Sequence, residues 1–404
     1  MRSLLVLGGA TKCLPVFRHA RQTGVRTILC DWDASAPCRP LADVFHAVSA
    51  TDVPALCGIG REEQVAGVIA FGSDLLAISA AEVARELGLP GNPPLSVTIL
   101  GEKDRFRAFL EAEGFPAPRS LTMEDLAGLE ARKPSLRLPV IVKPSDAAGS
   151  TAVSRVDAWQ AAGPAFAAAR AASRSGRVVV EEFLERSHPH MIGGDVFVHD
   201  GSVVFWGLLS SHRASSRYPF LPTGTSWPIE LGDGQLGQGW LAEVRETIQA
   251  VISRLGIRLG GLNVELLYDP AGTLHVIEIA ARNGGNAIPD LLRMATGADL
   301  VGALVDASLG LPVDLVTEPG EQCMAAWMLG AARTGVFRSV EVRPELEACV
   351  VETRLDVKAG DSVEAFDRAP RAVGTLFLEF TSQEEQQRLL GRMPELVSVT
   401  LENP

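Results

Sequence analysis

Two glutamates, Glu265 and Glu278, lie in a stretch that reads as a hairpin, residues 261–286, GLNVELLYDPAGTLHVIEIAARNGGN. Asp269-Pro270-Ala271-Gly272 has the composition of a type I turn, with Pro at the second position and Gly at the fourth. Pairing Asp269 with Gly272 predicts that Asn263 lies directly opposite Glu278, with Glu265 one diagonal away. Strand alternation then puts Asn263, Glu265, Glu278, Ala280 and Arg282 on one face. Leu262, Val264, Leu266, Ile277 and Ile279 share the other, which reads as core. Two converging carboxylates repel each other unless a cation lies between them. Hard cations such as Mg²⁺ take oxygen ligands, usually one or two carboxylates plus substrate phosphates. A solvated face on which Arg282 pairs with the glutamates accounts for the hairpin equally well.

The remaining cations sharpen that choice. Arg supplies 32 of the 37 basic residues, and the five lysines are Lys12, Lys103, Lys133, Lys143 and Lys358. A retained Lys marks a place suited to a compact ammonium, as phosphate sites are. Lys143 ends the β-rich run LPVIVKP (138–144) and precedes Ser145-Asp146-Ala147-Ala148-Gly149-Ser150-Thr151. Small residues let backbone N–H groups approach phosphate, and hydroxyls add donors. Lys12, Lys133 and Lys358 read as incidental.

The elements that must position these groups follow from periodicity. Residues 1–95 alternate strand and helix, a parallel sheet of βαβ units. Gly8-Gly9 and Asp31 end its first two strands, yet GxGxxG is absent, so a dinucleotide site is a weak reading. Ser96 is placed to cap a helix running to Leu110, with Lys103 inside it and Gly114 beyond its end. Residues 177–184 (RVVVEEFL) read as a strand leading into an extended segment. Residues 210–227 carry Arg213, Arg217, Tyr218 and Trp227 with no regular apolar period, as functional loops often do. Helices are expected over 241–255 and 288–309, and short strands beyond Pro312.

The motif Glu278-Ile279-Ala280-Ala281-Arg282-Asn283-Gly284-Gly285, with Glu265 upstream, resembles the metal-binding end of the ATP-grasp fold, and the pattern is nearest to L-amino-acid ligases and other carboxylate–amine ligases. The resemblance implies an α/β chain: an N-terminal Rossmann-like α/β domain (1–95), an ATP-grasp domain (96–310, lid about 116–184) and a small C-terminal β-rich domain (311–404). It implies ATP and Mg²⁺, or Mn²⁺, as cofactors. Lys103 and Lys143 would hold phosphate under the loop carrying Ser150. Adenine would be read near Glu181, Glu182 and Leu184, and Glu265 and Glu278 would bind the metal. Ala280 stands where many members carry Asn, which leaves Asn263 or Asn283 for a third metal contact. Arg282 would neutralise an acylphosphate. Arg213, Arg217, Trp227 and Asn283 are the residues expected to face the substrates, with the loop ones lying outside every nucleotide motif.

The implied activity is ATP-dependent amide formation between a small carboxylate and an amine. A bicarbonate-using carboxylase, a non-catalytic nucleotide binder and a Rossmann oxidoreductase are the alternatives. A net charge of −12 argues against nucleic-acid and membrane-surface partners. No apolar run is long enough to span a bilayer, and no leader stands at the start. The six cysteines form no CxxC pair and read as buried thiols in a reducing cytoplasm. A homodimer is compatible with this reading.

Overall fold

Four parallel strands open the chain: β1 (Ser3–Leu7), β2 (Arg26–Asp31), β3 (Val44–Ala47) and β4 (Gly67–Ala70), in the spatial order β3-β2-β1-β4. The computed structural model describes residues 2–213, 220–231, 239–315 and 322–402. β1 is apolar from Leu4 to Leu7 because both of its faces are covered. Leu4 and Val6 pack with Val16 and Phe17 of α1 (Leu14–Thr23), whereas Leu5 and Leu7 pack with Leu56 of α2 (Val53–Glu62) and with Val83. Gly24 ends α1 in the left-handed region, φ +70°, as a C-cap glycine does. Ser73 caps α3 (Asp74–Leu87), its Oγ accepting from the Leu76 N–H. That cap fixes Asp74 in the first helical turn, beyond the end of β4.

The helix expected from Ser96 to Leu110 is two helices, α4 (Pro94–Gly101) and α5 (Lys103–Ala112). Glu102 between them is extended, and the Lys103 N–H donates to the Ser145 carbonyl at 2.9 Å. Docking on the 138–151 segment therefore overrides helical continuity, and Lys103 begins a helix instead of riding inside one. Ser96 is buried, donating from Oγ to the Leu255 carbonyl. Next come β5 (Ser120–Met123), α6 (Leu126–Arg132), β6 (Val140–Pro144), β7 (Ser154–Val156), α7 (Ala162–Ala172) and β8 (Val178–Glu182). The strands form an antiparallel sheet, β5-β8-β6-β7, covered by Ala165, Phe166 and Ala169 of α7.

The long sheet begins with β9 (Met191–His199), β10 (Ser202–Arg213) and β11 (Pro222–Trp227), and continues after α8 (Trp240–Leu255) with β12 (Gly260–Tyr268) and β13 (Leu274–Ala280). Much of the expected 210–227 loop is thus strand: Ser210 pairs with Ser226 and Ser211 with Thr225. The helix expected over 288–309 is α9 (Ile288–Thr296) and α10 (Leu300–Ser308), parted at Gly297 with φ +79°. One face of β12 packs Leu262, Val264 and Leu266 against Val244, Ile248 and Val251 of α8. Each such fully buried aliphatic contributes about 1.5–3 kcal/mol over its exposed state, so the hairpin's other face is held where it is by its own core side.

Beyond Pro312 the strands are β14 (Cys323–Leu329), β15 (Gly335–Val342), β16 (Val350–Leu355), β17 (Ser362–Val363), β18 (Gly374–Phe380) and β19 (Val397–Leu401). Three of them extend the long sheet, whose order is β13-β12-β9-β10-β11-β14-β18-β16; β17-β15-β19 form a separate small sheet. Among the described residues, no helix is long and apolar enough to cross a membrane.

Candidate functional site

The turn closes as its composition indicates, with the Gly272 N–H donating to the Asp269 carbonyl at 2.9 Å. The register differs from expectation. Gly272 takes φ +81°, and Asp269 donates to the Thr273 carbonyl instead of pairing with Gly272. A bulge past Glu265 shifts the ladder again. Glu265 consequently lies directly opposite Glu278, and Asn263 opposite Ala280. Val276 takes the core position assigned to Ile277, and Ile277 lines the cavity beside Glu278.

That cavity has a volume of about 540 Å³ and lies between the β5–β8 sheet and the hairpin. Lys103, Lys143, Ser150, Glu181, Glu182, Leu184, Arg213, Glu265 and Glu278 all line it, which brings together most of the residues singled out in the sequence. Directly opposed like charges destabilise a strand pair, and two internal cations relieve this one. Arg213 donates from NH2 to Glu265 Oε1 at 2.6 Å, and Lys103 Nζ lies 3.5 Å from Glu278 Oε1 while donating to the Ala147 carbonyl at 2.8 Å.

A second charged group lies deeper. Lys143 is buried against Glu181, whose other oxygen accepts from Arg107 Nε at 2.9 Å. Burial lowers the Lys143 pKa against the attraction of Glu181. Burial works against ionised Glu181 too, but Arg107 and Lys143 outweigh it and bring the carboxyl down to about 2. The Glu182 carboxylate is held by Arg137, through its backbone N–H and its guanidinium. Both Glu side chains are therefore committed within the fold, leaving the 182–184 backbone and Leu184 toward the cavity. Gly149 and Ser150 have φ +67° and +57°, a tight left-handed turn of small residues, and Ser150 Oγ donates to the Phe220 carbonyl at 2.8 Å.

Arg282 sits at the hairpin's end, its Nε 2.8 Å from Asp74 Oδ1. Burial opposes its charge, yet Asp74 raises its pKa. Asn283 departs from the substrate role expected of it: it is fully buried, with Nδ2 3.3 Å from Asp195 Oδ2. Asn263 donates to the Gly194 carbonyl and to Asp195, and neither Asn263 nor Asn283 lines the cavity that Glu265 and Glu278 share. Asp195 also accepts the Gly284 N–H at 2.9 and 2.8 Å. Burial pushes its carboxyl up to about 6 despite these donors. Asp195 was not singled out in the sequence, although one acid inside the run MIGGDVFV was a usable signal.

The four substrate-facing residues thus have different fates. Arg213 lines the same cavity as Lys103, Lys143 and Glu265, because the length of β10 carries it to Glu265. Trp227 packs with the cluster containing Leu209, Ile288 and Met324 and does not line the cavity. Arg217 lies outside the described residues. His188 is buried, its Nε2 accepting from the Tyr268 N–H, and His190 packs on His212 with ring centroids 4.0 Å apart and the rings tilted by 47°. Lys12, read as incidental, donates to the Gly72 carbonyl at 2.5 Å beside Asp74.

Comparison with known proteins places this geometry in a fold. The chain is 19% identical to the L-amino acid ligase of Bacillus licheniformis, with a TM-score of 0.79 over 100% of this chain and 99% of that one. The biotin carboxylase domain of Hydrogenobacter thermophilus 2-oxoglutarate carboxylase, solved with MgADP and bicarbonate, gives a TM-score of 0.75 at 15% identity, over 99% and 90%. The chain has the ATP-grasp fold. In sequence it is 32% identical over 242 residues to the formate-dependent phosphoribosylglycinamide formyltransferase of Synechococcus sp. (strain CC9605), covering 59% of this chain and 60% of that protein. The matched stretch spans 60–65% of the length of the first curated relatives. No family model matches the chain.

The donor set fits a divalent cation held partly by a ligand. Glu265 and Glu278 are two carboxylates facing each other, with Lys103 and Arg213 beside them where positive charge is required. Among the described residues, no group of three His, Cys, Asp or Glu side chains is arranged to hold a metal alone. Two carboxylates completed by phosphate oxygens and water is the usual arrangement for Mg²⁺.

Proposed function

We propose that this chain is an ATP-dependent ligase that joins a small carboxylate, an amino acid or a related metabolite, to an amine. The observation that carries the reading is the direct opposition of Glu265 and Glu278 in a cavity also lined by Lys103, Lys143 and the small-residue turn around Ser150. ATP occupies that cavity. Lys103 and Lys143 meet its phosphates, the Ser150 turn covers them, and the segment from Glu181 through Leu184 meets the base. Glu265 and Glu278 hold Mg²⁺, or Mn²⁺, which supplies positive charge at the phosphates when bound.

An oxygen of the substrate carboxylate bonds to the γ-phosphorus as the bond to the β–γ bridging oxygen breaks. ADP leaves with that electron pair. The amine nitrogen then bonds to the acyl carbon, the carbon–oxygen bond to phosphate breaks, and the nitrogen's surplus proton passes to solvent. Arg282, oriented by Asp74, faces the charge that develops on the acylphosphate and its tetrahedral successor. Relatives named for formate and for L-amino acids support a carboxylate as first substrate.

The test is a matrix of carboxylates and amines incubated with ATP and Mg²⁺, read by phosphate release and product mass. ADP and phosphate appearing only when both substrates are present, with a product of amide mass, is the expected result. ADP release with bicarbonate alone, or nucleotide binding with no turnover for any pair, would overturn it.

A further inference from the structure

Arg213 occupies a position that the reading above requires a metal ion to enter. Its NH2 lies 2.6 Å from Glu265 Oε1 and its NH1 donates to Ser211 Oγ at 3.0 Å. The side chain is 15% exposed and lines the same cavity as Lys103 and Glu278. Arg186 lines it too, and its Nε and NH2 donate to the carbonyls of His188 and Pro189, both at 2.6 Å. Burial, then the charge of Arg213, lowers the Arg186 pKa, so the two guanidiniums feel each other. Glu265 is the carboxylate that makes this pair of cations tolerable.

Resting on the ligase reading, we infer that Arg213 is an exchangeable counter-ion: it neutralises Glu265 until a divalent cation takes that carboxylate, and then pairs with the phosphoryl group in transit. Two cations competing for one carboxylate repel at contact distance in a cavity of low dielectric. Once displaced, Arg213 lies beside Arg186 without the carboxylate that had neutralised it. The anion that enters is the one the reaction supplies, the γ-phosphoryl group and then the acylphosphate. A guanidinium suits it because its fork matches two phosphoryl oxygens at once. Metal entry and readiness to bind the reacting anion are thereby coupled through one side chain, and Arg213 becomes a catalytic residue instead of part of a substrate-selecting loop. The length of β10 is what makes this available, since the strand carries Ser211 and Arg213 on the face turned toward Glu265.

The test uses the full chain and Mn²⁺ as the probe, with free Mn²⁺ read by electron paramagnetic resonance without nucleotide, then with ADP. Removing a competitor should tighten metal binding, so Arg213→Ala is expected to bind Mn²⁺ alone several-fold more tightly than the parent. The same variant should lose about 100-fold in ADP release under saturating substrates, the scale of removing one donor to a developing anion. Arg213→Lys, which keeps the charge without the fork, should lie between the two in both readouts. Unchanged or weaker Mn²⁺ binding by Arg213→Ala, with its thermal unfolding intact, overturns the exchange. So does turnover within a few-fold of the parent. Glu265→Gln separates the two layers: if it binds Mn²⁺ as well as the parent, the metal reading itself fails, whatever Arg213 does.

Discussion

Arg282 Nε lies 2.8 Å from Asp74 Oδ1, and Arg282 NH2 lies 3.4 Å from Asp74 Oδ2, a two-point contact between residues separated by 208 positions in the chain. It ties a residue just past the β12–β13 hairpin to the first turn of α3. Lys103 and Lys12 add positive charge around the same carboxylate. The first turn of α3, which follows β4 of the N-terminal sheet, therefore fixes the orientation of the guanidinium proposed for chemistry. Both side chains are largely buried, 12% and 16% exposed. Removing one partner of such a pair leaves a charge unpaired, at a typical loss of about 3 kcal/mol. Asp74→Ala is thus expected to lower the unfolding free energy by about that amount, and Asp74→Ala combined with Arg282→Met to recover part of it. Urea unfolding of the four proteins in the cycle measures the coupling. Strictly additive losses would show that the contact is energetically idle.

Nucleotide affinity should depend on Lys143 and not on Lys133. Lys143 meets the cavity from a strand end and is held by buried Glu181. Lys133 pairs with Glu130 one turn away in a helical segment far less buried. Charge-assisted contacts of this kind contribute about 2 kcal/mol, so Lys143→Ala is expected to weaken ATP binding about 30-fold in calorimetry, with Lys133→Ala unchanged. Equal affinities for the two variants would remove Lys143 from the phosphate site.

Glu278→Gln keeps size and loses charge. Because Glu278 faces Glu265 directly, one carboxylate then remains for the metal. Mg²⁺-dependent ADP release should fall by about 100-fold or more, while thermal unfolding stays near that of the parent, since Glu278 is half-buried and Lys103 loses only a 3.5 Å partner. Normal turnover in this variant would place the metal elsewhere.

How much of this was legible beforehand varies with the physics of each feature. The turn and both faces of Asn263 to Glu265 follow from alternation and turn chemistry, which are local, whereas the cations beside the glutamates are Arg213 and Lys103 and not Arg282, which pairs with Asp74. The register was not legible, because the positive φ of Gly272 and the bulge past Glu265 are chosen by packing of Val276 against α8. Arg213 was misjudged for a related reason. Ser210, Ser211 and His212 look like a loop, yet they are strand residues whose polar groups meet Glu230, Arg213 and Ser226. Lys103 and Asn283 were found by motif but assigned to the wrong surroundings, since the break at Glu102 and the burial of Asp195 depend on partners far along the chain.

Acid should destabilise the fold through His188. Its Nε2 accepts from the Tyr268 N–H at 3.0 Å, so the bond requires the neutral ring. Burial, with Arg186 and His190 nearby, brings its pKa down to about 4, even though a backbone contact at His190 favours the charged form. A folded-state pKa below the ordinary 6.5 means that the native chain binds fewer protons than the unfolded one between those values. Stability from this group is therefore complete above about pH 7 and is lost as pH falls through 6.5 toward 4. By pH 5 the loss amounts to about 2 kcal/mol. His212, lowered to about 3, acts in the same direction, and Asp195, raised to about 6, acts in the opposite one, so the parent curve alone does not isolate His188. His188→Gln does, because its amide oxygen can accept from Tyr268 without titrating. The expected outcome is that the parent loses about 2 kcal/mol more than His188→Gln between pH 7 and pH 5 in urea unfolding at matched ionic strength. Parallel curves for the two proteins would mean that His188 accommodates its proton in the fold, and that the Tyr268 contact does not depend on the neutral ring.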